Sequence, residues 1–139
     1  MREIKFRGYN RFDQRWVYGY GLHQAVFEDG SSNAYVTAGI REVFIVDKES
    51  VGQYIGCKDI YGKEIYEGDI IERTDKTPVA EFYNKKEIGV VEYKNAQFVL
   101  KTGQDSYYEI SYDGIFFTHM ADYKVIGNIY ENKELLEEE

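Results

Sequence analysis

The chain has 139 residues, within the range of a single domain, and a chain of this length buries a sizeable core without covalent staples. Its formal net charge of −8 counts against non-specific binding to a nucleic-acid backbone. One cysteine, Cys57, excludes an internal disulfide framework and a cysteine-based zinc site, and fits a reducing cytosol.

Fourteen tyrosines and a single proline, Pro78, make the chain rich in strand formers and poor in strand breakers, which predicts an all-β protein. The charge is uneven. Residues 1 to 63 carry 9 basic and 8 acidic side chains, whereas residues 64 to 139 carry 8 and 17, many of the acids in the tail ENKELLEEE. MREIKFRGYN contains no apolar run of the signal-peptide type, and no later stretch approaches the ~20 apolar residues that span a bilayer. A soluble, intracellular protein is expected.

In REIKFR, Ile4 and Phe6 alternate with Glu3, Lys5 and Arg7, the pattern of a strand with one buried face. RWVYGYGL repeats it, placing Trp16, Tyr18, Tyr20 and Leu22 on one face, and the intervening GYNRFDQ has turn composition, so the two form an antiparallel pair. EDGSSN, residues 28 to 33, reads as a loop. VFIV, residues 43 to 46, is a short apolar run that suits a strand covered on both sides, although periodicity alone leaves a buried helical turn open.

QYIGCKDIYGKEIYEGDIIE, residues 53 to 72, reads as strand, turn, strand, with Gly62 suited to a positive φ and apolar character resuming at Ile65, Tyr66, Ile70 and Ile71. Gly68 interrupts the second strand, as glycine does at a bulge or a barrel corner. Residues 74 to 87 lack a period and contain Pro78, which predicts a long, mobile loop with one short element at most. IGVVEYKNAQFVLK is a hairpin turning at KNAQ, DYKVIGNIYEN a last strand with Tyr123, Val125 and Ile129 at even spacing, and ELLEEE a helical turn.

Four of these stretches, MREIKFR, residues 53 to 72, GVVEY and VIGNIYENKELLE, resemble in order and spacing the YopX family of small phage and prophage proteins, nearly end to end. The resemblance implies a mostly β fold and a bacterial host cell, and it brings no established reaction or catalytic residue. In two places the chain departs from the usual pattern: Ile55-Gly56-Cys57 stands where Thr-Gly-Leu is common, and Tyr61 where Asn is common. A slot that often takes leucine makes Cys57 a small buried hydrophobe. Gly56, Cys57, Asp59, Gly62, Tyr66, Gly68 and Asp69 together read as a structural motif.

No catalytic, cofactor or metal residue is expected. His23 and His119 lie outside any ligand-spaced cluster, no G-x-S-x-G elbow appears, and no phosphate-cradling glycine loop opens a helix. Glu67 and Asp69, two apart on one strand, together with the E-x-K of Glu92 and Lys94, have the form of a magnesium-dependent nuclease site, but an acidic β surface explains them as well and no flanking helices are predicted. Basic residues interleaved with rings near the N-terminus, Lys5, Arg7, Tyr9, Arg11, Phe12 and Arg15, are candidate nucleic-acid contacts of the kind used by small single-strand-binding barrels. Alternation weakens that reading, since the aromatics at even positions should form a core on the face opposite Lys5, Arg7 and Arg15.

The expected architecture is an N-terminal antiparallel β segment over 1–62, a small SH3-like or partly open β-barrel over 63–130 and an acidic tail over 131–139. One compact domain fits equally, because the motif at 53 to 72 crosses that boundary. The expected function is a non-enzymatic phage accessory or adaptor protein that binds a host or phage protein in the bacterial cytoplasm, with self-association through strand edges. A nucleic-acid-binding module is the alternative and a nuclease the third reading.

Overall fold

In the computed structural model, which describes residues 3–78, 84–104, 106–110 and 121–137, the chain is mainly β and divides into two units, Met1–Gly56 and Cys57–Glu139. The all-β expectation holds.

In the first unit, β1 (Phe6–Asn10) pairs antiparallel with β2 (Arg15–Gly19) in the register Phe6↔Gly19 to Asn10↔Arg15. On its other side β1 meets the start of β6 (Gly52–Lys58) through Phe6↔Gln53 and Arg7↔Gly52. A second antiparallel sheet is built from β3 (Gly21–Val26), β4 (Ser32–Gly39) and β5 (Glu42–Val46) in sequence order. Val17 of β2 joins Ala34, Val36 and Val46 of the second sheet in a small core, with Phe44 and Val51 packed against it.

Glycine brings these strands close. A Cβ on Gly8 would lie 2.6 Å from the Val46 side chain, and one on Gly19 would lie 2.2 Å from the Thr37 carbonyl oxygen. Any larger residue at either position would hold the backbones apart.

The core-facing side of the β1–β2 pair is therefore Gly8, Asn10, Val17 and Gly19, which inverts the sequence-based expectation for β2, while Arg7, next to Gly8 in the strand, is buried on the opposite face with Trp16. Ile4, Tyr18, Tyr20 and Leu22 are exposed and Trp16 half-buried, while Arg7 is only 6% exposed. Alternation identifies two faces but not which is inner. Here the choice falls on the side where glycine permits close approach. RWVYGYGL also splits at Tyr20 into β2 and β3, and β4, a whole strand that composition did not mark, follows the loop after β3. VFIV is not covered on both sides: β5 is an edge strand and Val43 is 54% exposed.

Two buried polar side chains fix the ends of these strands. The Asn10 Oδ1 accepts from the Asp13 N–H at 2.7 Å while its Nδ2 donates to the Ile45 carbonyl at 3.1 Å. The Ser50 Oγ accepts from the Tyr9 N–H at 2.8 Å and donates to the Asp47 carbonyl at 2.6 Å, so the 3-10 turn Lys48–Ser50 is tied to β1.

In the second unit, a short β7 (Glu64–Tyr66) precedes β8 (Asp69–Asp75), β9 (Lys86–Lys94), β10 (Gln97–Lys101), β11 (Tyr107–Glu109) and β12 (Ala121–Asn128). The last five form an antiparallel sheet in the order β11-β10-β9-β8-β12, curled as a half-barrel. Ile70, Ile71, Val91 and Leu100 are almost fully buried, and because Ile70 and Ile71 are consecutive, both faces of the sheet are covered at that end. β9 and β10 turn at Asn95-Ala96, both at positive φ (52° and 65°), as a two-residue type I′ hairpin demands. β8 and β9 pair as far as Thr74↔Lys86, so only the two ends of the loop expected at 74 to 87 are strand, and 79–83 lie outside the described residues. A 3-10 turn, Lys133–Leu136, stands where ELLEEE predicts a helical turn.

The packing at Gly19 yields an ordering of two substitutions. Gly62 has φ +85° but open space around it, so Gly62→Ala should cost only the left-handed backbone strain, about 1 kcal/mol. Gly19→Ala must displace a backbone carbonyl and should cost more, about 2–3 kcal/mol, in urea unfolding. Equal losses at the two sites would contradict the close-approach account.

Candidate binding surfaces

The basic residues near the N-terminus do not form a free cationic face. Arg7 is buried with its guanidinium 4.7 Å from the centre of the Trp16 ring, and Tyr9 meets Trp16 edge-on at 5.5 Å. Lys5 pairs with Glu3 at 3.4 Å and lies 5.3 Å over the Tyr54 ring. Arg11 pairs with Asp47 at 2.8 Å, and Arg15 lies 3.8 Å from Asp13 and 5.0 Å over the Phe44 ring. Phe12 is 77% exposed, beside Arg11. Burial takes Arg7 out of reach of a phosphate, and carboxylates or rings already engage the other three cations.

The two carboxylates proposed to share a strand face are separated by the bend at Gly68. Glu67 lies in the turn, whereas Asp69 opens β8, is 1% exposed, and accepts from the Tyr66 N–H at 2.8 Å. Gly68, at φ +93°, donates its N–H to Val91 and accepts from the Ile129 N–H, both at 2.9 Å. Lys94, two residues beyond Glu92, turns to Tyr107, donating to its hydroxyl at 3.3 Å. Among the described residues no three of His, Cys, Asp and Glu are grouped to hold a metal. His23 is exposed on β3, 6.0 Å from the Tyr35 ring, and His119 lies outside the described residues. Cys57 is half-buried rather than fully buried, and burial pushes its thiol pKa up, away from the reactive thiolate.

Asp59 organises the turn between β6 and β7. Its Oδ1 accepts from the N–H groups of Tyr61 and Lys63, both at 2.9 Å, and its Oδ2 from the Val125 N–H of β12 at 3.0 Å. Ile60 donates to the Tyr123 carbonyl at 3.0 Å, Gly62 to the Asp59 carbonyl at 3.0 Å, and Asp59 to the Lys63 carbonyl at 2.8 Å. Every backbone N–H from Asp59 to Lys63 is thus donated, and the turn is fixed to β12. Ile60 and Tyr61 nevertheless remain 53% and 73% exposed.

That turn borders a cleft of about 440 Å³ on one face of β12, β8 and β9. Two alternate rungs of the sheet, on one face, supply it: Asp122, Thr74 and Lys86 in one, Lys124 and Glu72 two rungs on. Lys76 closes one side, 3.7 Å from Asp122 and 3.2 Å from the Asn84 side-chain oxygen. Sequence reasoning missed this site, since its residues come from four separate stretches and no local pattern joins them. A separate cluster in the same unit buries Arg73 against the Tyr108 ring at 3.9 Å and within 3.5 Å of Asp75. Burial and a hydrogen bond to Glu87 push Tyr108 up to about 12.

A different feature marks the first unit. Of the strands at sheet edges among the described residues, β3, GLHQAV, is the one with no Asp, Glu, Lys or Arg, and its only described strand partner is β4. Leu22 and Val26 on it are 44% and 69% exposed, and Phe27 just beyond is 48% exposed.

The fold defines an all-β protein built from two strand-rich units. Residues 5–137 match the family described as YopX protein, and the chain belongs to that family. Among solved structures it is similar to protein EF1440 from Enterococcus faecalis, with a TM-score of 0.52 and 22% identity over 98% of this chain and 99% of that one. It is also similar to protein yopX from Bacillus subtilis, with a TM-score of 0.54 and 18% identity over 100% and 99% of the two chains. At these identities the likeness speaks for the fold alone. No curated protein matches the chain.

The Asp59 carboxyl gives an acid-side prediction. Burial alone would raise its pKa, but three backbone N–H groups and nearby Lys63 outweigh it and hold the carboxyl below 3.8. A depressed folded-state pKa contributes stability above the unfolded value and loses it as pH falls through the folded one. The stability difference between wild type and Asp59→Asn should therefore be full at neutral pH and shrink only as the pH drops below 3.8, measured by urea unfolding across that range. A difference that does not change with pH would contradict this role.

Proposed function

We propose that this chain is a non-catalytic accessory protein, phage- or prophage-encoded and working in the bacterial cytoplasm, that takes an extended segment of a host or phage protein onto the edge of β3. The observation that supports this reading is the charge-free edge strand. Natural sheets blunt an exposed edge with lysine, proline or inward charge, because a row of unpaired N–H and C=O groups recruits another strand. β3 has none of these devices, while other edges among the described residues carry charge: Arg15 on β2, Glu42 on β5, Glu109 on β11, and Asp122 and Lys124 on β12. Main-chain hydrogen bonds would give such a complex its affinity, and Leu22 and Val26 would give it an apolar contact. The same edge offers a route to self-association. The nucleic-acid reading loses support from the internal engagement of Lys5, Arg7, Arg11 and Arg15.

The test is an affinity pull-down from lysogenic or infected cells, with and without nuclease treatment, comparing wild type with Leu22→Lys/Val26→Lys. The variant should keep its stability within about 0.5 kcal/mol, as surface changes do, and lose the protein that wild type retains after nuclease treatment. A partner held equally by the variant, or released by nuclease, would reject the β3 reading.

A further inference from the structure

We propose that the cleft of the second unit binds a free mononucleotide, with the base stacked on Tyr61 and the phosphate held by Lys86 and Lys124. Three observations combine. First, the turn that carries Tyr61 is fixed by a complete set of backbone hydrogen bonds, yet it leaves the ring 73% exposed at the cleft border. A rigidly presented, solvent-facing ring loses little conformational entropy when a planar group stacks on it, and every nucleobase offers a π-face.

Second, the cleft floor carries lysines in register. Lys124 and Glu72 are direct partners across β12 and β8, and Asp122, Thr74 and Lys86 are partners two rungs away, so all five side chains stand on the same face. Lys86 is 62% exposed and 4.0 Å from Glu72, and the Lys124 ammonium lies 5.9 Å from the Tyr61 ring centre. Neither ammonium is buried, so each can turn to a phosphate without a large desolvation cost.

Third, the cleft holds both signs. Glu72 and Asp122 sit among the lysines, which disfavours a polyanionic strand or a bare phosphate and favours a ligand that combines one phosphate with hydrogen-bond donors. A mononucleotide has this mixture: a phosphate for the lysines, ribose hydroxyls and base N–H groups for the carboxylates, and a planar ring for the tyrosine. The volume, about 440 Å³, lies in the range of small-ligand sites.

The experiment is an amide NMR titration of the full chain with AMP, ribose 5-phosphate, inorganic phosphate and a short oligodeoxythymidylate, without added divalent metal. AMP should shift the amides of Tyr61, Lys86 and Lys124 saturably, and ribose 5-phosphate should bind at least about fivefold more weakly for want of the stacked ring. Tyr61→Ala should weaken AMP at least about fivefold while Tyr61→Phe retains it. Lys86→Gln and Lys124→Gln should each weaken it about fivefold, with the remaining amide spectrum unchanged. No saturable shift, equal affinity for AMP and inorganic phosphate, shifts centred away from the cleft, or tighter binding of the oligonucleotide than of AMP would each overturn the proposal. The edge variant Leu22→Lys/Val26→Lys should bind AMP as wild type does, which keeps this outcome independent of the β3 reading.

Discussion

The carboxylate of Asp59 is the interaction on which the second unit's organisation turns. Three backbone N–H groups converge on it, two from its own turn and one from β12, more than sixty residues later in the chain. Hydrogen bonds to a charged acceptor are about twice as strong as neutral ones, and an ionised acceptor that is 8% exposed needs them to offset its lost hydration. The result is a local turn that also works as a long-range clamp: it fixes the end of β6, the start of β7 and the middle of β12. Gly68 repeats the device more weakly, linking its turn to Val91 of β9 and to Ile129 just past the end of β12. Between them, these two points tie β12, which is remote in sequence, to the β6–β7–β8 segment.

The same constraint has a functional face. A turn whose backbone groups are all occupied has no need to bury its side chains, and Ile60 and Tyr61 are left in solvent beside a sheet face of alternating charge. In the first unit the equivalent freedom comes from glycine. Gly8 and Gly19 let two sheets approach closely enough that a core of four side chains suffices, and the large rings of β2 are left outside. Both units thus leave aromatic or aliphatic side chains in solvent beside backbone that hydrogen bonds or close approach already fix.

This explains which features were legible in the sequence. The strand-turn-strand at 53 to 72 was readable because glycine and apolar spacing are local signals, and so was the hairpin at Asn95-Ala96. The inner face of β2 was not, since Trp16, Tyr18 and Tyr20 are the natural core residues of any alternating strand and nothing local announces that Gly19 will meet a carbonyl of β4. Arg7 was misplaced for the same reason: its burial depends on the Trp16 ring across the strand pair. β4 was missed because SNAYVTAG is neither strongly alternating nor strongly apolar. The cleft was out of reach altogether, as Lys86 and Lys124 become neighbours of Glu72 only through the order β9-β8-β12. Asp59 stood out as part of a motif, but its partner Val125 could not be inferred from spacing.

Native-state amide hydrogen exchange of wild type and Asp59→Ala tests the clamp most directly. If the carboxylate holds the turn to β12, the amides of Tyr61, Lys63 and Val125 lose protection together in the variant, while Val36 and Val46 in the first unit exchange as before. Unchanged protection at Val125, or loss confined to Tyr61 and Lys63, would show that Asp59 is an ordinary turn residue and contradict the account.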